Sequence, residues 1–483
     1  MKALVVFGIT IIDIIALLQS CSISGLHQAY RDDKVQPREV TTHFLERIER
    51  FNPELHAVIE VNPAALTDAG RLANKGINGS PLFGVPILIK DNIETADQPT
   101  TIGALAFEGS STGREASVVT RLRNAGAIIL GKANLSELAN FKTNLSVSGW
   151  SDVGGQCRNP HDTSCNPSGS SSGSAVGVAA GLCLAAVGTE TSGSVVCPAA
   201  INGVVGFKPT VGRVPAEHIA PISHSQDTAG PLTRCVADAA LMDRVMSGEI
   251  DHALAPATIR LGVFPEPRAS EAADNLLRDT LAQLGRVATV AEIDPPEFDE
   301  AFNYHHFTRL LYEFKAGLNA YLGGRPGEGP KTLEALIAFN ETNPGKLAHL
   351  GQDLLEQAQA TTDLTDPIYT ESNAWLAKHV PAAINTALDA YDLDALMTAT
   401  NCPAWPIDHE HGDSGQRIWM YAAPAAVAGF PHLTLPMGRV NGLPAGVSLI
   451  GRRGADQSLL ALGIAIEAAL GKGTLANPFN QRS

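Results

Sequence analysis

Residues 165–210 read CNPSGSSSGSAVGVAAGLCLAAVGTETSGSVVCPAAINGVVGFKPT, and the rest of the chain is interpreted around this stretch. It predicts a serine-rich loop at 168–174, a tightly packed Ala/Gly helix at 175–186 and a second loop of glycines and hydroxyls at 188–194. A buried strand is expected to resume at 195–198. A linker would not run directly into a helix of small residues, so the serines are assigned to a site.

Acyl chemistry needs the kinds of group that these two loops contain. A serine hydroxyl becomes a nucleophile only when a base takes its proton and hydrogen-bond donors stabilise the negative charge that forms on the substrate. A glycine beside a serine allows consecutive N–H groups to point at one position. The stretch is therefore consistent with a serine hydrolase.

Short apolar runs elsewhere predict an α/β fold with a mixed or parallel sheet. The run GVPILI at residues 84–89 predicts a buried strand with Lys90 at its end, and residues 116–125 and 127–130 predict a helix and a second buried strand. Residues 259–264, 269–284 and 287–293 predict a further strand, helix and strand. The run from Gly126 to Lys132 fits a phosphate-binding loop only in part, because Ala133 replaces the required Ser or Thr and the intervening residues are apolar. A nucleotide site is therefore rejected.

Two other motifs point to different chemistry. Residues 169–173 match GxSxG, which would make Ser171 the nucleophile of an α/β-hydrolase with His409 or His411 as its base. These histidines lie in DHEHGD at residues 408–413, where consecutive polar residues are typical of a solvated loop. The same run lacks the spacing of a metal site. No metal and no cofactor are expected.

The composition places limits on partners and compartment. The chain has 483 residues, 44% of them hydrophobic, with a formal net charge of -15 and a pI near 5.4. No basic run exceeds two residues, which argues against a nucleic-acid partner. Seven cysteines without a CxxC pair indicate neither a zinc site nor a disulfide scaffold. A bridge between Cys157 and Cys165 stays open for an oxidising compartment.

The first residues, MKALVVFGITIIDIIALLQS, are similar to an export leader. Residues 18–21 read LQSC, which would make Cys21 a lipid-bearing residue and residues 1–22 a possible membrane tether. Asp13 within the apolar run argues against insertion. Export to the periplasm, secretion or lipid anchoring is the expectation, and a cytoplasmic protein with a packed N-terminal helix is the alternative.

Several motifs, in order along the chain, resemble the amidase signature family. They are GVPILIKDN, GSSSGS, GTETSGSVVCPAA, GVVGFKPTVGRVP and, near the C-terminus, GLPAGVSLIGRRGADQSLL. The resemblance runs from about Ile23 to the C-terminal region. It implies one large α/β domain with a central mixed β-sheet covered by helices on both faces. VVCPAAINGVVGFKPT, ISHSQDTAGPL and LLYEFKAGLNAYL are most similar to the family's bacterial peptide amidase branch, which hydrolyses C-terminal carboxamides of peptides.

The resemblance also implies roles for individual residues. Ser194 corresponds to the nucleophile, Ser170 to a bridging serine that follows a cis peptide bond, and Lys90 to the base. The backbone N–H groups of Thr191, Ser192 and Gly193, with Ser194 as a further candidate, are expected to hold the oxyanion.

Three further residues are expected to support these loops, namely Asp227, Arg158 and Ser171. Asp227 and Arg158 are equally consistent with ordinary loop anchors. Tyr312, Glu313 and Trp405 are candidate cleft residues.

The sequence departs from the family pattern at two positions. Ser192 stands where many members have glycine, and Val196 stands where many have arginine. The first change concerns the geometry of the oxyanion loop. The second favours the peptide amidase branch over branches that place an arginine near a charged substrate.

The domain organisation follows from the same resemblance. Residues 23–483 are expected to form one amidase domain, with its catalytic core at about 60–240 and 390–475. Residues from about 300 to 388 are expected to form a mostly helical insertion, in which Leu310, Phe314 and Leu318 share one face.

Three functions remain open at this point. The first is an amide hydrolase that releases ammonia from peptide C-terminal amides or similar small carboxamides, or that acts on other acyl amides or esters. The second is the amidotransferase subunit of a tRNA-modifying complex, and the third is a non-catalytic binding protein on the same scaffold. The expected partner is a small carboxamide substrate, and the oligomeric state is left open.

Overall fold

The computed structural model describes residues 22–74, 76–77, 79–249, 258–264, 270–343, 351–413, 422–471, 473, 475 and 477–481. The helices are α1 Ile23–Arg31, α2 Pro37–Leu55, α3 Ala65–Ala73, α4 Ser117–Asn124, α5 Ser172–Ala179, α6 Val196–Asn202, α7 Val236–Ser247, α8 Glu271–Leu284, α9 Glu300–Gly324, α10 Leu333–Thr342, α11 Asp353–Gln359, α12 Pro367–Ala390, α13 Ala422–Val427, α14 Asp456–Leu470 and α15 Pro478–Gln481. The strands are β1 Val58–Val61, β2 Pro86–Lys90, β3 Ile128–Ala133, β4 Trp150–Ser151, β5 Gly155–Gln156, β6 Ala185–Glu190, β7 Val205–Lys208, β8 Thr228–Thr233, β9 Ile259–Val263, β10 Ala288–Glu292, β11 Ala395–Ala399, β12 His432–Val440 and β13 Leu443–Ile450.

One mixed sheet organises the molecule. Within the described ranges it has eleven strands in the order β1-β3-β2-β6-β8-β7-β12-β13-β11-β9-β10. The strand β2 lies parallel to both β3 and β6, whereas β6 pairs with β8 in antiparallel fashion. Helices cover both faces, so the predicted fold, a single large α/β domain around a mixed sheet, is confirmed.

The predicted buried strands lie close to their expected positions. All five residues of β2 and all six of β3 are buried, as expected for strands in the middle of a sheet with helices on both sides. The predicted unit at residues 259–293 is present as β9, α8 and β10, and its two strands are parallel. Gly131 and Lys132, which the phosphate-loop template would need in a loop, lie within β3.

The stretch at residues 165–210 folds differently from its prediction in two places. The helix α5 begins at Ser172 and ends at Ala179, and residues 185–190 form β6 where the prediction had the end of a helix and the start of a loop. Gly181 has a φ of 68° and stops the helix. Small residues such as those at 185–187 fit a buried helix or a buried strand equally well, so their composition could not distinguish the two.

The second difference concerns residues 195–198, which were predicted to be a strand and instead start helix α6. Two adjacent valines favour a strand by intrinsic propensity, but tertiary contacts override that preference. The carboxylate of Glu190 accepts hydrogen bonds from the N–H groups of Val195 and Val196 at 2.8 and 3.0 Å. These are the N–H groups that a helix start leaves without backbone partners.

The predicted helical segment is present as α9, α10, α11 and α12, with no strand between residues 300 and 390 in the described ranges. Leu318 and Phe314 of α9 are buried in a cluster with residues of α10 and α11. Near the N-terminus, α2 extends through Pro53 to Leu55.

The predictions on the leader, on Cys21 and on Asp13 fall on residues 1–21, which lie outside the described residues. None of the helices that the structure describes is long and apolar enough to cross a bilayer. Cys157 and Cys165 are both buried, free cysteines.

Candidate active site

Lys90 is the last residue of β2 and is fully buried. Its Nζ lies 2.7 Å from the Ser170 hydroxyl and 2.8 Å from the Thr189 hydroxyl. It also donates to the Thr189 carbonyl at 3.2 Å. Because β6 is the parallel neighbour of β2, Thr189 near the end of β6 reaches the same edge of the sheet as Lys90.

Burial lowers the pKa of Lys90 to about 7, and the negative charges of Asp227 and Glu190 oppose that shift. Removal from water disfavours the charged ammonium. A substantial fraction of Lys90 is therefore a neutral amine at neutral pH. A neutral amine has one lone pair and can accept a proton from the Ser170 hydroxyl while its two N–H groups donate to Thr189.

Ser170 is fixed in the serine loop by its backbone. The Gly169-Ser170 peptide bond is cis, as the resemblance implied, and the Ser170 carbonyl accepts a hydrogen bond from the N–H of Ser136 at 3.1 Å. A side chain at position 169 would collide with the hydroxyl of Ser136, which would lie 2.3 Å from the added Cβ. The serine loop therefore needs glycine before Ser170.

Ser194 lies in the turn between β6 and α6 and is 6% exposed. Its carbonyl accepts a hydrogen bond from the N–H of Ser171 at 3.1 Å, which ties the two loops together. Gly193 has a φ of 120°, a conformation that residues with a Cβ rarely adopt. Among the described residues, the Ser194 hydroxyl makes no hydrogen bond to Ser170 or to any other side chain.

The structure thus joins Lys90 to Ser170 by a side-chain hydrogen bond and Ser194 to their loop by a backbone hydrogen bond. The contact between the two hydroxyls that a proton relay needs is not made in this structure. Catalytic hydrogen bonds are often long without substrate and tighten when substrate binds.

The predicted oxyanion donors line the turn before Ser194. In the part of the chain that the structure describes, the N–H groups of Thr191 and Ser192 have no acceptor in the protein. The N–H of Gly193 instead interacts with the Glu190 carboxylate. Burial raises the pKa of Glu190, and the contact with Gly193 opposes that shift. The two preceding amides are therefore the better candidates for binding an oxyanion.

Asp227 holds this turn in place. Its carboxylate accepts hydrogen bonds from the Thr191 hydroxyl at 2.6 Å and from the N–H groups of Ile222 and Ser223 at 2.8 and 2.9 Å. Burial raises the pKa of Asp227 to about 6. The carboxylate links the loop at 222–227 to the residue that precedes Ser192.

The other two supporting candidates behave differently from each other. Ser171 is buried, and its hydroxyl donates to the Thr189 carbonyl at 3.1 Å and accepts from the Thr189 N–H at 3.2 Å. That arrangement suits a loop support and not the exposed nucleophile of an α/β-hydrolase. Arg158 donates to the Thr163 carbonyl at 2.9 Å, within its own loop. It is a loop anchor and makes no hydrogen bond to the serine loops.

The remaining polar candidates lie in other settings. His411 is exposed and pairs with Asp408 at 2.9 Å, and the described residues contain no group of His, Cys, Asp or Glu side chains suited to a metal ion. Tyr312 donates to Asp366 at 2.9 Å. Trp405 is 5% exposed and donates to Asp413 at 2.9 Å.

Sequence reasoning missed several residues of the site. Thr189 binds Lys90, and Asn92 donates to the Thr189 hydroxyl at 3.0 Å. Glu190 caps α6 behind Ser194, and Gln226 donates to the Thr191 carbonyl at 3.0 Å. The available signal was position, because Asn92, Glu190 and Gln226 each stand within four residues of a residue that had been singled out.

Comparisons with known proteins agree with this geometry. The family model described as Amidase matches residues 39–460. The X-ray structure of native peptide amidase from Stenotrophomonas maltophilia is 40% identical, with a TM-score of 0.86 and coverage of 95% of this chain and 98% of that one. Mandelamide hydrolase from Pseudomonas putida is 35% identical over 92% of this chain and 90% of its own.

A third relative has a different activity. A glutamyl-tRNA(Gln) amidotransferase subunit from Nitratidesulfovibrio vulgaris is 31% identical over 94% of this chain and 97% of its own. The match across most of the chain, the shared fold and the Lys90–Ser170 pair together lead to one conclusion: this chain belongs to the amidase signature family and is a hydrolase of amide C–N bonds.

Proposed function

We propose that the protein hydrolyses C-terminal carboxamides of peptides, or similar small carboxamides, and releases ammonia through an acyl-enzyme on Ser194. The observation that carries the proposal is the 2.7 Å contact between the buried Lys90 amine and the Ser170 hydroxyl, beside a turn that presents Ser194 and two unpaired amides. The 40% identity to a peptide amidase supports the substrate class.

Acylation would proceed by a proton relay. Ser170 passes its proton to the neutral amine of Lys90 and takes the proton of Ser194, and the Ser194 oxygen forms a bond to the amide carbon. The N–H groups of Thr191 and Ser192 stabilise the oxyanion. One such donor contributes roughly 3 to 4 kcal/mol in other hydrolases.

The leaving group departs by the reverse proton path. The proton returns from Lys90 through Ser170 to the amide nitrogen, the C–N bond breaks and ammonia leaves. Water then attacks the carbonyl carbon of the Ser194 ester and gives a proton to the same relay. The relay returns that proton to the Ser194 oxygen as the ester C–O bond breaks, and the carboxylic acid leaves.

Ammonia release from a substrate panel tests the proposal. The panel contains peptide amides, acyl amides without a peptide bond, and free amino-acid amides, and the Ser194→Ala variant serves as the blank. We expect the highest kcat/KM with peptide amides and no turnover by the variant. Equal or higher activity with the other amides would contradict the substrate assignment, and activity of Ser194→Ala would contradict the nucleophile.

The amidotransferase alternative is tested with the same preparation. The relative from Nitratidesulfovibrio vulgaris keeps this possibility open, and the net charge of -15 gives no support to tRNA binding. We expect the purified chain to release ammonia from peptide amides without tRNA or a second protein chain. Activity that appears only with charged tRNA and a partner protein would favour the alternative.

We also propose that residues 1–22 act as a leader that directs export of the protein. The apolar run that ends just before Cys21 supports this assignment. N-terminal sequencing and mass spectrometry of the protein from its native cells should show loss of residues 1–20 and a lipid on Cys21. An intact N-terminus in the soluble cell extract would contradict export.

A further inference from the structure

Helix α9 of the helical segment contacts the turn that precedes Ser194. The Nε2 atom of His306 lies 3.3 Å from the Ser192 hydroxyl and 3.2 Å from the side-chain nitrogen of Gln226. No motif in the sequence marked His306, and the mechanism above does not use it.

The hydrogen-bond donors fix the state of the His306 ring. The amide nitrogen of Gln226 can only donate, so His306 Nε2 must accept and the ring proton must lie on Nδ1. Gln226 is held in this orientation because its oxygen accepts from Arg309 at 3.4 Å. Burial and the nearby Arg309 lower the pKa of His306 to about 3, which is consistent with a neutral ring.

The same amide group also reaches the oxyanion turn. One hydrogen of the Gln226 NH2 group goes to the Thr191 carbonyl at 3.0 Å, and the other goes to His306. The Thr191 carbonyl and the Ser192 N–H belong to one peptide unit, so a hydrogen bond at the carbonyl constrains the direction of that N–H. The ring of His306 is in turn held by stacking on Phe302, with centroids 5.4 Å apart.

We propose that His306 is a positioning residue for the oxyanion turn: the single lone pair on Nε2 of its neutral imidazole is shared between the Gln226 N–H and the Ser192 O–H, and this contact fixes the Thr191–Ser192 peptide for binding the oxyanion. The inference rests on the proposed function, because it takes the Ser192 N–H as an oxyanion donor. In this proposal α9 contributes to catalysis indirectly, because His306 orders the oxyanion turn and does not contact substrate.

The test compares three variants by kcat, KM and inhibition by a peptide aldehyde, whose adduct with a serine carries an oxyanion. His306→Phe keeps a ring that can stack on Phe302 but has no acceptor, and His306→Gln restores an acceptor. The matched control is His305→Phe, because His305 faces α12, where it stacks on Trp375 at 4.7 Å and contacts Ser372 at 3.0 Å.

We expect His306→Phe to lower kcat and weaken aldehyde binding roughly ten-fold, as for one lost hydrogen bond, while KM stays within about two-fold. His306→Gln should recover most of the loss, and His305→Phe should match the wild type. An equal effect of His306→Phe and His305→Phe, or no recovery with glutamine, would overturn the inference.

Two further variants keep the test decisive. If His306→Phe does not fold, Ser192→Ala removes the same contact from the other side and should lower kcat with little change in KM; wild-type kcat in Ser192→Ala would refute the positioning role.

Ser194→Ala separates the two proposals. If it is inactive while His306→Phe equals the wild type, only the present inference fails, and if it is active, the proposed function fails.

Discussion

At the scale of single residues, Lys90 is placed between two opposing influences. Complete burial favours its neutral form, and the charges of Asp227 and Glu190 favour its protonated form. The balance leaves its pKa near neutrality, where an amine can both take and return a proton. A base with an unshifted lysine pKa would be almost fully protonated at pH 7 and could not start the relay.

The first prediction concerns the pH dependence of activity. Because the reactive form of Lys90 is neutral and its pKa is about 7, kcat/KM should rise about ten-fold per pH unit below pH 7 and level off above it. Asp227→Asn removes a charge that raises the Lys90 pKa, so the midpoint should move to lower pH even if the plateau falls. The range from about pH 5.5 to 8 extends roughly one pH unit or more to either side of the Lys90 pKa. A kcat/KM that stays constant over this range would exclude Lys90 as the base.

The second prediction concerns stability. The folded-state pKa of Lys90 lies below its unfolded value, so the unfolded state binds more protons between about pH 7 and 10.5. The destabilisation that follows is fully present below pH 7 and is lost as the pH rises through this window. It is on the order of a few kcal/mol.

Lys90→Met should therefore be inactive but at least as stable as the wild type, and its advantage should shrink from pH 7 to pH 10. Urea unfolding of both proteins at several pH values measures the difference. Ser170→Ala, which keeps the lysine, provides the control and should show no such trend. A Lys90→Met variant that is less stable at every pH would show that the lysine's hydrogen bonds outweigh the cost of its burial.

At the scale of elements, the start of helix α6 decides where Ser194 lies. Glu190 is buried and accepts hydrogen bonds from the first two residues after Ser194, at 2.8 and 3.0 Å. A negative charge also interacts favourably with the N-terminal end of a helix. The end of β6 and the start of α6 are thus joined by one carboxylate, and the turn between them carries the nucleophile and the oxyanion donors.

The third prediction follows from this cap. Glu190→Ala leaves the N–H groups of Gly193, Val195 and Val196 without their acceptor. This should lower the free energy of unfolding by about 1 to 3 kcal/mol for each N–H group that stays buried and unpaired, and it should reduce kcat more than KM. Glu190→Gln keeps an acceptor oxygen and should lose less of both. Thermal unfolding and steady-state kinetics of the two variants give the comparison, and an equally severe loss in both would assign the effect to charge and not to capping.

Residue patterns predicted some of these elements and not others. The apolar, β-branched run before Lys90 predicted β2, because a short run of that composition is typical of a strand buried on both faces. The pair Val195-Val196 favoured a strand, and α6 forms there because Glu190 and the neighbouring strands impose a helix that the local sequence does not prefer. The contacts of Thr189, Gln226 and His306 depend on side chains from separate elements, which no local pattern records.

At the scale of the whole molecule, the sheet brings together residues that are far apart in sequence. The strand β2 supplies Lys90, and its neighbour β6 leads into the turn with Ser194. The alternation of strands and helices predicted a mixed or parallel sheet, and the ordered set of motifs, through the family resemblance, predicted a single large domain around a mixed sheet. The pairing order of the strands was not accessible from the residues alone, because it depends on which crossovers pack.

A buried carboxylate is among the contacts that join the helical segment to this core. Glu313 of α9 accepts hydrogen bonds from the hydroxyls of Ser223 and Ser225 at 2.5 and 2.6 Å and from the Ser225 N–H at 3.1 Å. It also accepts from the Tyr369 hydroxyl of α12 at 2.8 Å. The same loop contains Asp227, which holds Thr191. The candidate cleft residue Glu313 therefore connects two helices to the loop that orders the oxyanion turn.

The last prediction tests this connection. Glu313→Gln removes the negative charge and replaces one acceptor oxygen by an NH2 group, so the hydroxyls that face this group must turn from donors to acceptors and the charge-assisted hydrogen bonds are lost. It should therefore lower the free energy of unfolding by on the order of 3 kcal/mol and reduce kcat as the 222–227 loop loosens. Tyr369→Phe removes a single donor and leaves the loop contacts intact, so about 1 kcal/mol and near wild-type kcat are expected. Denaturant unfolding and turnover should therefore fall together in Glu313→Gln and separate in Tyr369→Phe. If both variants lose stability equally and keep full activity, the helices contribute to the fold without ordering the catalytic turn.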